Sequence, residues 1–468
     1  MPVPHLPHTR SAARLTLAGW LIAAVSCASL PPVPGAGGPR WLHLEAAHSV
    51  LLTDESESAA QASSARIELH HHALCQVALR CDAGARQKLR VIALHDPGHF
   101  EQLYGTEASG AFSPELLYEP QLVLATGLSQ AGTAQLSRAL TGLVAQQMLG
   151  PLPPWLLSGL ASYYETAHFD AGGAFVVGDP VQRHVELLAS QKRLSAEALL
   201  GRQPSAAGDA LFAASAWLLV HHLQSERRAD FAALLDSIGG GQTLAQAFHE
   251  AFPDLAPDLL DAHLDRYQRA GNYLTQSKRV ELQPTAAAVQ PLSDADVYSL
   301  RAEIAPAGTP ARTAQLTAAL QKDPNHVRAS LLRAGDQVAA GVLAAHPESW
   351  LAWVHTAYTE PARACTPELR DHLQAIAPDN AHTLSLAATC AQQAGQTARA
   401  LELSKRAFSA NPLSARITLA HARVLQAAGA CAELASLQEN AFGLDPASPE
   451  RAALTKLGEC TSPSHKAP

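Results

Sequence analysis

Residues 133–163 read TAQLSRALTGLVAQQMLGPLPPWLLSGLASY, and this stretch decides the fold because it predicts two consecutive helices. In its first half, Leu136, Leu140, Leu143 and Val144 recur at i, i+4, i+7 and i+8, which is one face of a helix. A Gly-Pro pair ends the first helix, and a Pro-Pro pair opens the second. Proline is tolerated in the first turn of a helix but not in its interior.

Short apolar runs on both sides of this stretch predict strands. The predicted strands are residues 41–45, 49–53, 90–94 and 121–126, with a hairpin over 169–177. The pattern after the hairpin is entirely helical to about residue 275. The first part of the chain is therefore predicted to be an α+β domain, a small sheet plus helices.

The element order and the sequence WLLSGLASY at residues 155–163 resemble a bacterial family of zinc-peptidase-like domains of unknown function, within the gluzincins (peptidase MA-like). That family carries H-E-x-x-H on the first of the two helices. Its third zinc ligand is the Glu of a W-L-x-E-G-L-A-x-Y motif on the second helix. The resemblance implies a gluzincin-like domain over residues 41–278.

All four positions that would carry zinc chemistry are substituted. The two histidine positions fall on Arg138 and Gly142, the general base falls on Ala139, and the third ligand falls on Ser158. Zinc needs converging nitrogen, sulfur or oxygen ligands, and its bound water needs a base. Arg138 also places a permanent positive charge where a dication would bind. We therefore expect an inactivated peptidase, with no catalytic residue, no metal and no cofactor.

Other histidines do not suggest a metal site. His70, His71 and His72 are adjacent on a predicted helix, so their side chains point in different directions. An active zinc metallopeptidase with ligands other than those aligned above stays an alternative. Glu165, just after the second motif, is a candidate ion-pair partner for Arg138.

The last third of the chain repeats with a 34-residue period. Pro378, Pro412 and Pro446 are 34 residues apart, and so are Gly395 and Gly429. This is the period of tetratricopeptide repeats, which this region therefore resembles. An all-α tetratricopeptide solenoid would offer a binding or scaffolding surface, or would only extend the first domain.

The N-terminal residues have the layout of a secretory signal. Two arginines and no acid precede an apolar run over residues 15–25. Ala24-Val25-Ser26-Cys27 then resembles a bacterial lipobox, in which Cys27 would become the acylated first residue. We therefore expect an exported protein of the cell envelope, anchored by lipid to a bacterial membrane and facing the periplasm.

Composition and spacing divide the chain into six predicted segments. They are a signal peptide (1–26), a Pro/Gly-rich tether (27–40), the peptidase-like domain (41–278), a linker (279–292), the repeat array (293–460) and a tail (461–468). Proline and glycine in the tether and linker favour irregular backbone.

The remaining six cysteines are an even number, which suggests disulfides in an exported protein. In repeat numbering, Cys365 with Cys390 and Cys431 with Cys460 occupy the same place, where one helix begins beside the end of its antiparallel neighbour. Two disulfides, Cys365–Cys390 and Cys431–Cys460, are therefore predicted. Cys75 and Cys81 are left to pair by elimination.

The composition narrows the class of partner. Hydrophobic residues make up 47%, charged residues 16%, and the net charge is −8, which disfavours a nucleic-acid partner. We expect a protein or peptide partner, with an extended peptide added along the strand at 121–126, and membrane contact through the lipid anchor only. A purely structural envelope lipoprotein is the other alternative.

Overall fold

The computed structural model describes residues 30–79, 81, 87–105, 110–150, 152–201, 209–281, 287–334, 340–439, 444, 448–458 and 460. The predicted signal peptide, the predicted lipid anchor Cys27 and the predicted tail lie outside these residues. The described part is a mixed α/β structure with a six-stranded sheet and mostly helices. No helix in the described ranges has the length and apolar character needed to cross a membrane.

In the ranges given above, nine strands form two sheets. The strands are β1 (Leu42–Glu45), β2 (Ser49–Thr53), β3 (Leu89–Ala93), β4 (Gly110–Leu116), β5 (Glu119–Leu124), β6 (His168–Phe169), β7 (Ala174–Val177), β8 (Gln276–Arg279) and β9 (Ala288–Pro291). The large sheet has the order β4-β5-β3-β2-β1-β9, and the small sheet has the order β6-β7-β8. In the large sheet β2, β3 and β5 are parallel, and the outer pairings are antiparallel.

Helices make up most of the remaining described chain. In the first part they are α1 (Glu57–Leu74), α2 (Pro97–Tyr104), α3 (Gln130–Leu149), α4 (Pro154–Tyr163), α5 (Gln182–Ser190), α6 (Ala196–Gly201), α7 (Ala210–Glu226), α8 (Arg228–Gly239), α9 (Leu244–Ala251) and α10 (Pro257–Ala270). In the last part they are α11 (Asp294–Ile304), α12 (Pro310–Lys322), α13 (Val327–Ala334), α14 (Ala340–Ala345), α15 (Trp350–Thr359), α16 (Pro361–Ala364), α17 (Pro367–Ile376), α18 (Ala381–Gln393), α19 (Thr397–Ala410), α20 (Ala415–Ala428), α21 (Cys431–Glu439) and α22 (Pro449–Thr455). The two helices predicted from residues 133–163 are α3 and α4.

The strand predicted to offer a free edge lies inside the sheet. Residues 121–126 fall largely in β5, which pairs with β3 on one side and with β4 on the other. The sequence GAFSPEL of β4 lacks the alternation of apolar and polar residues that predicts a strand. In the structure its residues are half-buried or exposed throughout. Strand addition along residues 121–126 is therefore wrong, since β4 already occupies that position.

Helices cover both faces of the large sheet. Val91 faces a core that includes α1 and α3, whereas the next residue, Ile92, faces a core that includes α2 and α11. The helix α11 belongs to the region predicted as a repeat array, yet its Val297 and Leu300 are buried with the sheet. The sheet and the first helix of the C-terminal region therefore share one core.

The predicted linker is partly a strand. Within residues 279–292, β9 pairs antiparallel with β1 and forms the second edge of the large sheet. Four residues near two prolines are a weak strand signal, so the pairing depends on the partner strand. The linker prediction is therefore wrong over β9.

The predicted tether is also partly ordered. Residues 30–40 lie against α11, where Val33 is buried and the Arg301 guanidinium donates to the Pro31 carbonyl at 2.8 Å. Residues Pro34–Ala36 form a short 3₁₀ turn, and a side chain from α11 supplies the contact that holds the segment. An unstructured tether over 27–40 is therefore wrong for its described residues.

Helix pairs occupy the two regular repeat units. Residues 381–414 contain α18 and α19, and residues 415–448 contain α20 and α21. Gly395 and Gly429 have φ of 73° and 70°, the left-handed conformation that glycine adopts without strain. The repeat spacing therefore predicted the helices and their turns correctly.

The three predicted cysteine pairings are present as disulfides. The Cα atoms of Cys365–Cys390 and of Cys431–Cys460 are 5.3 Å apart in both bridges. The Cα atoms of Cys75 and Cys81 are 4.9 Å apart. The repeat numbering therefore predicted the two C-terminal pairings correctly.

Candidate functional site

The four substituted positions lie on two helices that pack together. Arg138, Ala139 and Gly142 are on α3, and Ser158 is on α4. Ala139 is buried, and the other three residues are half-buried. A Cβ added at Gly142 would lie 3.7 Å from Leu157, an ordinary contact, so sterics do not require glycine there.

Arg138 is bound to the end of α4 and the residues that follow it. Its Nη1 donates to Ser162 Oγ at 3.0 Å and to Glu165 Oε2 at 2.7 Å. The Arg138–Glu165 pair suggested by the sequence is therefore confirmed. The arrangement fixes a cation at the first of the two histidine positions, where it would repel a dication.

A second arginine binds Glu165, and the sequence did not single it out. Arg183 on α5 donates from Nη1 and Nη2 to the two oxygens of Glu165, with Nη2 2.5 Å from Oε2. Burial by itself raises the pKa of Glu165, but the hydrogen bonds and charges of Arg183 and Arg138 outweigh it and hold that pKa below its usual value. The cluster of Arg138, Glu165 and Arg183 carries one net positive charge.

The matching residues of the second motif have packing roles. A Cβ at Gly159 would lie 2.4 Å from Val220 and 2.7 Å from the Ala216 carbonyl, so α4 and α7 can approach only at a glycine. The other matching residues of the motif are also buried, namely Trp155, Leu156, Leu160, Ala161 and Tyr163. The residues that match the peptidase pattern are thus the ones that pack the helix. The substituted positions are the ones that would bind zinc or supply the base in a peptidase.

Two buried histidines in this part of the chain, His221 and His70, hydrogen-bond to groups of the fold. The ring nitrogens of His221 lie 2.8 Å from the Tyr267 hydroxyl and 2.8 Å from the Gly178 carbonyl. Nε2 of His70 lies 3.2 Å from the Ala167 carbonyl, and burial lowers the pKa of His70 to about 4. Among the residues that the structure describes, no group of three or more His, Cys, Asp or Glu is placed to bind a metal ion.

A second candidate site is the contact between the β4–β5 hairpin and the C-terminal helices. The turn of the hairpin contains Leu117 and Tyr118, with φ of 47° and 68°. Left-handed backbone costs roughly 1–2 kcal/mol for a residue other than glycine, and it persists where the surroundings over-determine it. We call residues 114–119 the hairpin tip.

The hairpin tip is surrounded by side chains of α15, α18 and α20 and by Ser414, the N-cap residue of α20. The Tyr118 hydroxyl lies 2.9 Å from His355 Nδ1, and the Tyr118 carbonyl lies 3.1 Å from His382 Nε2. The Tyr118 ring is also 5.5 Å from the Tyr358 ring, centroid to centroid. We call His355, Tyr358, His382, Ser414 and Arg416 the seat.

Glu115 is a half-buried acid of the hairpin tip, with its side chain 21% exposed. The Ser414 hydroxyl donates to Glu115 Oε1 at 2.7 Å, and His382 Nε2 is 3.9 Å from the same oxygen. Burial raises the pKa of Glu115 to about 7, which the Ser414 hydrogen bond and the Arg416 charge offset only in part. This carboxyl therefore changes charge near neutral pH.

An ion network begins at the last residue of the hairpin tip. Glu119 of β5 accepts from Arg328 Nη1 at 2.7 Å, and Arg328 Nε donates to Glu303 at 2.7 Å. Arg90 Nε of β3 donates to the other oxygen of Glu303 at 3.2 Å. The Glu303 side chain is 0% exposed, so this network connects the sheet to α11 and α13 through buried charges.

Two cavities lie beside the seat. One, of about 470 Å³, is lined by residues of the tip and by Arg416 and Glu450. The other, of about 440 Å³, extends from Arg416 and Glu450 to Arg423 and the Cys365–Cys390 bridge. The seat therefore continues into a groove along α18 and α20, beyond the reach of the hairpin.

Comparisons with protein-family models, curated proteins and solved structures found no match to this chain. The peptidase-like and tetratricopeptide resemblances therefore rest on the motifs and the repeat spacing. The sequence did not predict the contact between the tip and the seat, because the two are separated by more than 200 residues.

Proposed function

We propose that this chain is a non-catalytic, exported envelope protein that binds a peptide or protein, or assembles a complex. Its first domain would be an inactivated metallopeptidase-like domain, and its C-terminal helices would be a tetratricopeptide array. The observation that carries the proposal is the Arg138 guanidinium bound to Ser162 and Glu165 at a position that zinc chemistry requires for histidine. Ala139 beside it supplies no base.

The binding role is supported by what the C-terminal helices already hold. They contact the turn between β4 and β5 through aromatic, hydroxyl and imidazole groups that meet Tyr118 and Glu115. The groove that continues from the seat contains two arginines, Arg416 and Arg423, against one acid, Glu450. Polar and cationic walls of this kind suit a protein segment better than a small apolar ligand.

Metal content and proteolysis test the non-catalytic part. Full-length protein purified without chelator should contain no stoichiometric zinc and should not cleave an unfolded protein substrate. The variant with Arg138→His, Ala139→Glu, Gly142→His and Ser158→Glu is the control, because it restores the ligand types. Stoichiometric zinc together with cleavage by the wild-type protein would establish the active-peptidase alternative instead.

Partner capture with matched variants tests the binding part. A partner crosslinked to the wild-type chain should be lost from Arg423→Glu, which reverses a charge in the groove, and kept by Arg399→Glu on an exposed part of α19. No partner, or equal capture by both variants, would favour a purely structural role.

The envelope location has its own test. Cys27→Ser should release the protein from membranes into the soluble fraction, since an acyl chain contributes about 0.8 kcal/mol for each buried CH₂. Unchanged membrane association would contradict the lipid anchor and leave the binding proposal standing.

A further inference from the structure

The groove beside the seat is formed by one face of several C-terminal helices. On α20 its lining residues recur at i, i+3, i+4 and i+7, namely Arg416, Leu419, Ala420 and Arg423. Residues at this spacing lie on one side of a helix. The groove has a volume of about 440 Å³, which is within the range of about 300–1,000 Å³ that ligand sites have. It is therefore large enough for part of a partner molecule.

The groove continues from a contact that already holds a segment of this chain. Arg416 and Glu450 line both the groove and the cavity of about 470 Å³ at the hairpin tip. At the tip, the hydroxyl of Ser414, the N-cap residue of α20, donates to the Glu115 carboxyl at 2.7 Å. The N-terminal end of this helix thus already accepts an acid from a turn of the chain that packs against it.

The two arginines of the groove differ in what they contact. Arg416 Nη2 donates to Glu450 at 3.0 Å, and its guanidinium lies 4.6 Å from the centre of the Tyr358 ring. Arg423 is exposed, and its guanidinium pairs with no acid in the part of the chain that the structure describes. At about 1.5 Å per residue, it lies about 10 Å further along the axis of α20 than Arg416. The far half of the groove therefore presents a cation to the solvent.

The other walls of the groove suit a polypeptide. Leu386 of α18 and Leu419 of α20 both line it, and apolar side chains can pack against them. Gln393, one further residue of α18 in the lining, is exposed. Its amide can both donate to and accept from the backbone of a bound segment. Leucine, amide and guanidinium groups are thus available to the three kinds of group that an acidic peptide carries.

The Cys365–Cys390 disulfide fixes one wall of the groove. It joins the residue that follows α16 to α18, and both cysteines line the groove. A wall that is held by a covalent bond does not have to become ordered when a partner binds, which lowers the entropic cost of association. The groove is therefore suited to a partner segment that is itself flexible.

We propose that the groove binds an extended, acidic segment of another protein, with a carboxylate of that segment bound to Arg423. An apolar side chain of the segment packs against Leu386 and Leu419. The planar guanidinium of arginine can donate two parallel hydrogen bonds to a carboxylate, which favours this pairing. The acidic partner rests on the proposed binding role and makes it more specific.

Selection from a random peptide library tests the proposal. Short peptides displayed on phage are selected on the full-length wild-type protein and, in parallel, on Arg423→Glu and Arg399→Glu. Arg399 is the matched control, because it is an exposed arginine of α19 that does not line the groove. We expect wild type and Arg399→Glu to enrich Asp or Glu at one position of the selected peptides. Arg423→Glu should not enrich acids there.

A double-mutant cycle with one selected peptide locates its carboxylate. Replacement of the acid by the corresponding amide should weaken binding to the wild type at least threefold, measured by fluorescence anisotropy. The same replacement should leave binding to Arg423→Gln unchanged, because the partner of the acid is then already absent. Arg423→Gln also keeps the test decisive if the charge-reversed variant does not fold.

Three results would overturn the acidic partner. Selected peptides without a preference for acids would overturn it and leave the peptide-binding role standing. Equal weakening by the amide peptide for the wild type and Arg423→Gln would mean that the acid binds elsewhere. A library that yields no binder would overturn the acidic partner together with the proposed peptide-binding role, while the zinc and proteolysis measurements would still decide the non-catalytic part.

Discussion

The two candidate sites of this chain place their charges in opposite environments. At the α3–α4 site, the Arg138 and Arg183 side chains are 35% and 56% exposed around a buried Glu165. In the network beside the hairpin tip, Arg90 and Arg328 are 13% and 17% exposed around Glu303, which is 0% exposed. Water screens the first cluster far more than the second.

This difference in exposure indicates which of the two charge clusters contributes more to the stability of the fold. A cluster open to water can exchange its polar residues at small cost in stability. A buried network is costly to alter, because removal of one partner leaves the others desolvated. The site that resembles an enzyme centre is therefore expected to contribute less to stability than the contact that resembles none.

Removal of Glu303 is expected to have the largest effect. Glu303→Ala leaves Arg90 and Arg328 buried without their shared carboxylate, so the free energy of unfolding should fall by about 3–5 kcal/mol. Urea denaturation followed by circular dichroism measures this. Glu433→Ala is the matched control, because its pair with Lys405 is more than half exposed and should be worth under about 1 kcal/mol. Equal effects of the two variants would remove the contrast between the sites.

Opening the groove bridge should have the next largest effect. The double variant Cys365→Ser/Cys390→Ser releases a loop with a separation of 25 residues. The chain-entropy relation then gives a loss of about 3 kcal/mol in the free energy of unfolding. The Cys75–Cys81 bridge closes a separation of only 6 residues, so Cys75→Ser/Cys81→Ser should lower the free energy of unfolding by only about 2 kcal/mol. A larger loss for the short loop would mean that local packing, not loop closure, sets the contribution.

A smaller effect is expected at the turn of the hairpin. Tyr118→Phe keeps the ring in the seat but removes the hydroxyl that lies 2.9 Å from His355. The free energy of unfolding should fall by about 1 kcal/mol, the usual net value of one hydrogen bond. Tyr104→Phe on α2 serves as the control for loss of a tyrosine hydroxyl. Thermal melts in which both variants match the wild type would contradict a role for this contact.

The smallest effect is expected at Arg138. Arg138→Met leaves Glu165 bound by both nitrogens of Arg183, and Arg138 is one-third exposed. The free energy of unfolding should therefore fall by under about 1 kcal/mol. The loss should be present near neutral pH and should disappear as acid protonates Glu165, whose pKa lies below its usual value. A loss as large as that of Glu303→Ala would show that the exposed cluster supports the fold.

Local patterns in the sequence determined the helices and the cysteine bridges. The proline punctuation around α3 and α4 and the 34-residue spacing of Gly395 and Gly429 act through neighbouring residues of one element. The bridges Cys365–Cys390 and Cys431–Cys460 followed from the same periodicity. Helix period and repeat register are short-range properties, so a single sequence contains them.

Only the tertiary structure decided which strands form the edges of the sheet. It also decided that residues 30–40 pack against α11 and where the hairpin tip docks. Tyr118 meets His355 across 237 residues, and Arg90 meets Glu303 across 213. The pairing of β9 with β1 likewise joins a predicted strand to a distant segment whose own strand signal is weak. Such contacts depend on which surfaces the fold brings together, and burial then sets the charge of Glu115 and the cost of removing Glu303.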